Sequence, residues 1–409
     1  MRITYKFSSL LIILVCSLMT QDLFSAETDS EISKKDTEKT LGYFGGSEYW
    51  FTVLPSYRNT DTKEGIVRIY AIPNTKAEIF VEIPGRNFKV SKQANAFEAA
   101  IIEIPESIAC PWIKTNSQNT PPDSIYKGCG IHVYANTVFV VFVASYTERI
   151  SERFLALPTS NLGKEHFVTS YTAGNSGGMI MPSMTACVTP YDNVVVKFTP
   201  GGNTHTKTIN GETPGQTVTD VMQRGDVWLV SAEADSSDLA GSKWVSSKPV
   251  AVVSGNYGGL IPLGSTSINP LMEMEIPSFT WGKDYPVPVI PGRKNPPVIR
   301  IFAKEKNTII YRDGEEIGNL STAGGLINEG WMEIRLNPAG NVPASAVISG
   351  DKPIGVAMYN PGNEGDTLAS HVSEPFSCSI ISTNGYSKNS TVCVFHIDES
   401  ATNHYFNLI

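Results

Sequence analysis

The sequence predicts an all-β fold built from tandem antiparallel units. From Gly42 onward, short runs rich in Val, Ile, Phe, Tyr and Thr alternate with Gly, Pro, Asn and Asp turns, as in IVRIYAI (66–72) and DVWLVSA (226–232). No long segment keeps the 3.6-residue apolar period of an amphipathic helix. Asp313-Gly314, placed between two such runs, is a strong signal for a two-residue hairpin. We expect β-sandwich-like repeats, with a β-propeller made of the same repeats as the alternative.

Residues 1–26 have the pattern of a secretory signal peptide. The basic start Met1–Lys6 precedes an apolar run at Leu10–Val15, and Phe24-Ser25-Ala26 offers small residues for cleavage after Ala26. The apolar run is too short to cross a bilayer comfortably, so we expect no transmembrane segment after cleavage. Residues 27–41 are charged and poor in large apolar groups, which predicts a disordered spacer. The chain is therefore predicted to be secreted or to lie on the cell surface.

The composition limits the partners. Charged residues make up 18% of the 409 residues and apolar ones 41%, which is enough to bury a core and excludes wholesale disorder. The formal net charge is −8, and no sizeable block of Lys and Arg is present. This argues against nucleic acid or an anionic membrane as a partner.

Internal repetition is visible along the chain. Residues 246–259 (SSKPVAVVSGNYGG) return as 349–362 (SGDKPIGVAMYNPG) and, in a looser form, as 134–147 (YANTVFVVFVASYT). Self-similarity at a fixed period is the signature of repeat architectures. Proline at the start of two copies is tolerated because a strand can begin at a residue without an N–H.

The repeats predict three β units, followed by the start of a fourth. The fourth segment ends within a strand-like run, and a strand needs neighbours for its hydrogen bonds, so we expect a truncated chain. The predicted units are residues 42–147, 148–258 and 259–362, with 363–409 as the incomplete fourth unit.

The mature chain contains an odd number of cysteines, which is unusual for an exported protein. Cys110 and Cys129 flank a polar loop and are predicted to form a local disulfide, and Cys378 and Cys393 are predicted to close a second loop. Cys187 lies in a strand-like run and is predicted to be a buried thiol. No cysteine or histidine spacing suggests a zinc site, and no cofactor is expected.

The stretch Gly174–Gly178, GNSGG, resembles the surroundings of the nucleophilic serine in chymotrypsin-like proteases and fits the G-x-S-x-G elbow. The protease order requires a histidine and then an aspartate before the serine. Only His132 and His166 precede Ser176, and no aspartate lies between His132 and Ser176. His132 is interpreted as a structural histidine within a strand.

The α/β-hydrolase order offers no better match. Asp192 or Asp220 and then His205 follow Ser176, but the elbow requires a helix directly after the serine. The next residues contain Pro182 and several β-branched side chains, which disfavour a helix. We therefore predict a tight turn between two strands and no catalytic residue.

Glu273 and Glu275 are paired carboxylates of the kind that glycoside hydrolysis uses. Their alternate positions place them on one face of a strand, and a solvated face is the favoured interpretation. They remain the residues on which a glycan-processing activity would depend.

Three aspartates in one segment suggest a calcium site. Asp226, Asp235 and Asp238 lie close in sequence, but their spacing matches no loop with known calcium geometry. Turn capping by aspartate is the preferred interpretation.

Aromatic residues recur at similar places in the units. Packing in the core or along strand edges is favoured over a carbohydrate platform. These residues are Tyr49, Trp50, Trp228, Trp244, Trp281 and Trp331.

Several stretches together resemble the N-terminal domain family of IgGFc-binding proteins, which occurs in secreted animal mucus proteins and bacterial surface proteins. The stretches cover roughly residues 46–362, although the first unit has Asn136-Thr137 where the others have Lys-Pro. They are GGSEYWFTV (45–53), ERFLALPTSNLGKEHFVTSY (152–171), DLAGSKWVSSKPVAVVSGNYGGLIP (238–262) and MEMEIPSFTWGKDYPVPVIPG (272–292).

The resemblance implies a non-catalytic secreted or cell-surface scaffold for binding or adhesion. Its expected partner is an extracellular protein or glycan, bound without a cofactor. No residue marks an immunoglobulin site, so antibody binding is not carried over. A glycan-processing enzyme and a purely structural envelope protein are the alternatives.

Overall fold

The computed structural model describes residues 44–57, 64–113, 120–146, 151–288, 295–336, 345–362 and 374–385. Within these ranges the chain forms antiparallel sheets with one short α-helix, α1 (Glu106–Ala109), so the predicted all-β class is confirmed. The predicted signal peptide, the spacer, Cys393 and most of the predicted fourth unit lie outside the described residues.

The first sandwich is organised around one long strand. Its strands are β1 (Gly46–Phe51), β2 (Ile66–Pro73), β3 (Ala77–Ile83), β4 (Phe88–Ala94), β5 (Ala100–Pro105), β7 (Ile131–Tyr146) and β8 (Ser151–Leu155). The beginning of β7 pairs with β1 and β3, and its end pairs with β2 and β8. Because β7 runs through both layers, the sheet folds over on itself around a common core.

The second sandwich repeats this plan around the strand β16 (Lys243–Gly259). The start of β16 pairs with β9 and β13, and its later part pairs with β12 and β17. The short strand β6 (Ser124–Tyr126) adds to the edge of β15. The remaining strands are β9 (Gly163–Phe167), β12 (Ser183–Val188), β13 (Val194–Thr199), β14 (Val218–Met222), β15 (Val227–Ser231) and β17 (Asn269–Met274), and a separate hairpin consists of β10 (Gly174–Ser176) and β11 (Met179–Met181).

In the third sandwich the long strand is divided into two, β23 and β24. One layer has the order β18-β23-β20-β21 and the other β22-β19-β24-β25. Both layers contribute to one core, so the four-stranded layers face each other as in a sandwich. The strands are β18 (Asp284–Val287), β19 (Val298–Ala303), β20 (Thr308–Arg312), β21 (Glu315–Leu320), β22 (Trp331–Arg335), β23 (Ala346–Gly350), β24 (Ile354–Asn360) and β25 (Phe376–Ile380).

Strands cross the unit boundaries that the repeats predict. β8 and β17 follow residues 147 and 258, where the predicted units end, yet each completes a layer of the preceding sandwich. A 3-10 turn comes after each of them and also after β25, at Thr159–Asn161, Ser278–Thr280 and Thr383–Gly385. The unit boundaries themselves stay a prediction, and β8 and β17 are the last strands before the chain passes into the following sandwich.

The two joints depend on close packing at one glycine in the first sandwich and one in the second. A Cβ on Gly46 would lie 2.3 Å from Cβ of Pro158, and one on Gly163 would lie 2.4 Å from Cβ of Pro277. Both prolines stand beside the 3-10 turn that leads into the following sandwich. A larger residue at either glycine would therefore push the next part of the chain away.

The residue three positions after Gly46, Gly163 and Gly282 is buried in each of the three sandwiches. Tyr49 donates its hydroxyl to the carbonyl of Phe139, and Tyr285 donates to the carbonyl of Ile354. His166 occupies the same place in the second sandwich and is fully buried, with no partner for either ring nitrogen. Burial lowers the pKa of His166 to about 3, so this imidazole is neutral in the folded chain. Its unmet hydrogen-bonding groups weaken the second sandwich.

Replacing His166 with tyrosine is expected to raise the free energy of unfolding by about 1 kcal/mol. A tyrosine hydroxyl would reach the carbonyl of Val250, because Val250 pairs with Gly163 as Phe139 pairs with Gly46. Urea unfolding of H166Y tests this, with H205Y at an exposed site as the control. A lower urea midpoint for H166Y would show that the ring overfills the core instead.

Candidate functional site

A row of aromatic and charged side chains covers the outer face of the layer β4-β3-β7-β1. Residues at alternate positions of a strand share a face, and the register places Trp50 and Glu82 on either side of His132. Arg224, from the loop between β14 and β15, adds to the row from the second sandwich. We call this surface the ladder face; its residues are Glu48, Trp50, Phe80, Glu82, Lys89, His132, Tyr134 and Arg224.

The rings of the ladder face are stacked in sequence. Trp50 lies 4.1 Å from His132 at an interplanar angle of 10°, and His132 lies 4.5 Å from Tyr134 at 26°. Phe80 continues the stack against Tyr134 at 5.2 Å. Trp50 and His132 are buried, whereas Phe80 and Tyr134 are partly accessible to solvent. The stack thus begins in the core and ends in a pair of rings that a partner can touch.

Two carboxylates hold His132 from opposite sides. Its Nδ1 lies 2.9 Å from Oε1 of Glu82, and its Nε2 lies 2.9 Å from Oε1 of Glu48. Burial alone would raise the pKa of Glu82, but hydrogen bonds from His132 and Lys89 outweigh burial and hold that pKa below its ordinary value. His132 lies within a strand, as the sequence indicated. The sequence did not indicate the two carboxylates that contact its ring.

The loop of the second sandwich fixes the inner end of the stack. The Arg224 guanidinium lies over the Trp50 ring at 5.2 Å and is 3.6 Å from Glu48. Asp226 accepts hydrogen bonds from the backbone N–H of Gly128 and of Gln223, at 3.0 and 2.9 Å. The ladder face is therefore built by two sandwiches whose relative position is fixed by direct contacts.

The proposed carboxylate pair does not lie on a solvated face. Glu275 is 2% exposed, and its Oε1 accepts hydrogen bonds from the N–H and the hydroxyl of Thr169, at 2.6 and 3.0 Å. The solvated-face prediction is thus wrong for Glu275, while Glu273 is half-buried. The sequence pattern failed because β17 lies between the strands β8 and β25 rather than at a free surface.

Burial changes the ionisation of both carboxyls. It raises the pKa of Glu275 to about 7, and burial together with the nearby Glu275 raises the pKa of Glu273 well above its ordinary value. The cavity beside Glu275 has a volume of about 50 Å³ and is lined by Thr169, Trp281 and Tyr285 among others. Pockets that bind organic ligands measure about 300–1,000 Å³, so this cavity is too small for a sugar chain.

The serine motif forms a hairpin tip. Gly177 and Gly178 have φ of 60° and 83°, the left-handed values of the tight two-residue turn between β10 and β11. Asn175 supports the turn by accepting the N–H of Gly178 at 3.0 Å. A strand follows Ser176 instead of a helix, so the predicted turn is confirmed.

The three aspartates of the suggested calcium site lie in different environments. Asp226 and Asp238 are buried and accept backbone N–H groups, as expected for turn-capping residues, whereas Asp235 is exposed. Across the described residues no group of three or more His, Cys, Asp and Glu side chains is arranged to hold a metal ion.

The recurring aromatic residues pack inside the sandwiches, as predicted. Trp228 and Trp244 meet edge to face at 5.3 Å in the core of the second sandwich. Tyr49, Trp50 and Trp331 are also buried, and Trp281 is half-buried against Phe167. Of this set only Trp50 contributes to the ladder face.

The cysteines are buried wherever the structure describes them. Cys187 is a buried thiol, as predicted, and burial raises its pKa above the ordinary range. The Sγ of Cys129 lies 3.6 Å from the carbonyl oxygen of Lys127, and Cys110 is 1% exposed. Cys378 is buried while Cys393 lies outside the described residues. The pairings Cys110–Cys129 and Cys378–Cys393 stay predictions.

Arg300 is a central residue that the sequence pattern did not single out. It is 1% exposed, and its ion pair with Asp238 at 2.9 Å joins the third sandwich to the second. Its second ion pair, with Glu333 at 3.0 Å, lies within the third sandwich. The only signal in the sequence is its alternation with apolar residues in IRIF (299–302), a pattern that many surface strands share.

Comparison with known proteins identifies the family of the chain. The family model described as IgGFc binding protein matches residues 152–409, more than half of the chain. No curated protein and no solved structure matches the chain. No helix within the described ranges has the length and apolar content needed to cross a membrane. The match includes all strands of the third sandwich and nearly all of the second, and it confirms the resemblance seen in the sequence: the chain belongs to the IgGFc binding protein family.

Proposed function

We propose that the chain is a non-catalytic scaffold, secreted or held at the cell surface, that binds an extracellular protein through the ladder face. The observation that carries the proposal is the partly accessible ring pair Phe80–Tyr134, which is set beside charged groups of both signs. Aromatic side chains surrounded by a polar rim are typical of protein interfaces. The signal-peptide pattern predicted for residues 1–26 supports export, and the family description supports a binding role.

The geometry of the face favours a rigid contact surface. Phe80 and Tyr134 are neighbours across paired strands, and Lys89 lies 5.9 Å from the Tyr134 ring while its Nζ contacts Glu82 at 3.1 Å. Each exposed side chain is held by a neighbour, so little side-chain entropy is lost when a partner docks. A protein partner is favoured over a glycan because the charges of the face alternate in sign.

The alternatives have less support. A glycan-processing enzyme would depend on Glu273 and Glu275, and Glu275 is buried beside a cavity too small for a sugar chain. A purely structural envelope protein would have no use for an accessible ring pair, and it would bind no soluble protein or glycan.

Removing the two accessible rings is expected to weaken binding by about tenfold or more, as for aromatic hot spots. F80S/Y134S and the unaltered chain are compared on immobilised IgG Fc, which the family description names, on purified mucus glycoproteins and on a glycan array. The matched control is V195S/V221S, an exposed cross-strand pair on the corresponding layer of the second sandwich.

The outcomes separate the three functions. Binding to a protein that F80S/Y134S loses and V195S/V221S keeps supports the scaffold. Binding to glycans alone would show that the partner is a carbohydrate and not a protein. Turnover of a glycan that E275Q abolishes would establish the enzyme, and no binding to any of these ligands would favour the structural role.

A further inference from the structure

The two contacts of the His132 imidazole with carboxylates require two N–H donors on the ring. Both ring nitrogens of His132 lie 2.9 Å from carboxylate oxygens, Nδ1 from Glu82 and Nε2 from Glu48. A neutral imidazole has one N–H donor and one lone pair, and an ionised carboxylate only accepts. In the neutral form one of the two contacts would bring a lone pair against a carboxylate oxygen. Only the imidazolium form donates to both.

We propose that His132, Glu48 and Glu82 form a proton-operated clamp that holds the ladder face together in mildly acidic solution and releases it as the pH rises. The proposal rests on the proposed function in one respect: the clamp regulates the surface assigned to the partner. Histidine is the side chain whose charge ordinarily changes near neutral pH, and such pairs with carboxylates are used in pH-sensitive interfaces.

The clamp joins three neighbouring strands. Glu48 comes from β1, His132 from β7 and Glu82 from β3, in the register Glu82 opposite His132 and His132 opposite Trp50. The imidazole side chain is 5% exposed, so water offers little replacement for either contact. Loss of the second proton therefore weakens a contact that holds these three strands in position.

Each carboxylate has a second cation within reach. Arg224 lies 3.6 Å from Oε1 of Glu48, and Lys89 lies 3.1 Å from Oε2 of Glu82. Trp50 also donates its indole N–H to Glu48 at 3.3 Å. When His132 becomes neutral, Glu48 can turn to Arg224 while Glu82 stays with Lys89, and the charges still balance. These are the charged groups that face the imidazole from β1, β3, β4 and the β14–β15 loop.

Release of the clamp changes the surface offered to the partner. His132 is stacked between Trp50 and Tyr134, and Tyr134 in turn supports Phe80. A shift of Glu48 toward Arg224 removes one of the two hydrogen bonds that fix the imidazole plane. The accessible ring pair is then less ordered, and binding through it becomes weaker at higher pH.

Nuclear magnetic resonance of the 15N-labelled full chain tests the clamp without any partner. Between about pH 5.5 and 8.5, both nitrogens of His132 are expected to be protonated at the acid end and one at the alkaline end. In E48Q and in E82Q the second proton is expected to leave at a lower pH than in the unaltered chain, because each variant removes one carboxylate that accepts a hydrogen bond from the ring. E78Q, which removes a carboxylate of β3 that contacts Ser91, is the control and is expected to leave the transition in place.

Hydrogen exchange supplies an independent measurement. After correction for the intrinsic pH dependence, amides of Gly46–Phe51 are expected to exchange about tenfold faster at alkaline pH than in mild acid, and H132Q is expected to remove this difference. A single protonated nitrogen at every pH, or identical transitions in E48Q, E82Q and the unaltered chain, would overturn the clamp. Failure to find a partner would contradict the proposed function and leave these measurements unaffected.

Discussion

Replacing Arg300 with methionine is expected to lower the free energy of unfolding by about 3–5 kcal/mol, the usual effect of removing one partner from a buried ion pair. Arg300 and Asp238 are each 1% exposed and lie 2.9 Å apart. Methionine fills most of the space but leaves the Asp238 carboxylate buried without its cation. It also leaves the carbonyl of Ser170 without the hydrogen bond that Arg300 donates at 2.8 Å.

The contacts of Arg300 join two sandwiches. Its guanidinium lies 4.3 Å from the ring of Tyr171 in the second sandwich, and 4.7 and 5.3 Å from the rings of Trp331 and Tyr359 in the third. Cation–π contacts of a desolvated guanidinium add to the ion pair. R300M is therefore expected to loosen the joint between the second and third sandwiches as well as to lower the stability of the whole chain.

Urea unfolding followed by tryptophan fluorescence measures the effect. R312M is the control, since Arg312 forms an accessible pair with Asp313 at 3.7 Å, and surface changes stay within about 0.5 kcal/mol. The double variant D238N/R300M is expected to recover part of the loss because it no longer buries a lone charge. An R300M midpoint equal to that of R312M would show that the arginine is not a stabilising contact.

The same residue shows where prediction from sequence stops. Arg68 and Arg300 stand in matching runs, VRIYAI and IRIFAK, and the sequence does not distinguish them. The side chain of Arg68 is 28% exposed and pairs with Glu103 on the neighbouring strand, whereas Arg300 is enclosed by the second sandwich. Alternation along a strand identifies its two faces. It does not say which face another sandwich will cover.

The fold class was predictable because each strand carries its own local signal. The sequence repeats also identified the long strand of each sandwich, which corresponds to β7, β16 and the pair β23 and β24. The transfer of β8 and β17 to the preceding sandwich was not predictable, since it depends on pairing between residues far apart in the chain. For the same reason Glu273 and Glu275 were assigned to a solvated face.

The ladder face was only partly predictable from the sequence. Its residues alternate along β1, β3 and β7 as Glu48 and Trp50, Phe80 and Glu82, and His132 and Tyr134, a pattern that marks a polar and aromatic outer face. The strand order that places His132 between Glu48 and Glu82 comes only from the structure. A search for strands with such alternation would have found the candidates but not their contacts.

The folded chain is expected to be more stable near pH 5 than near pH 8, because carboxyls whose pKa values are raised by folding outnumber the groups that act in the opposite direction. Burial raises the pKa of Asp123 and of Glu275 to about 7, and it raises the pKa of Glu152 and of Glu273 well above the ordinary value. An acid whose pKa is raised by folding binds its proton more tightly in the folded state. Its stabilising contribution is complete below the unfolded pKa and is lost as the pH rises through the folded pKa.

Other groups make the folded chain less stable as the pH falls. Burial lowers the pKa of His166 to about 3, so its contribution is lost as the pH falls from its ordinary value toward 3. Partners lower the pKa of Glu82 and of Glu165 despite their partial burial, and these contributions disappear only as the pH falls below the ordinary glutamate value. Between about pH 4.5 and 7, one histidine therefore opposes the four carboxyls whose pKa values are raised. The balance places the maximum of stability in mild acid.

Glu275 provides the direct test. Its rise from 4.5 to about 7 corresponds to roughly 3 kcal/mol that is lost between mild acid and pH 8. Glutamine at this position keeps a carbonyl for the N–H and hydroxyl of Thr169 but never ionises, so E275Q is expected to reduce the difference between the unfolding temperatures at pH 5 and pH 8. Differential scanning calorimetry at constant ionic strength measures this difference, with E305Q at an exposed position as the control. Equal unfolding temperatures at the two pH values in the unaltered chain would mean that these carboxyls reach water or a cation. An unchanged difference in E275Q would assign the pH dependence to Asp123, Glu152 and Glu273, because the remaining buried carboxyls titrate in the same direction.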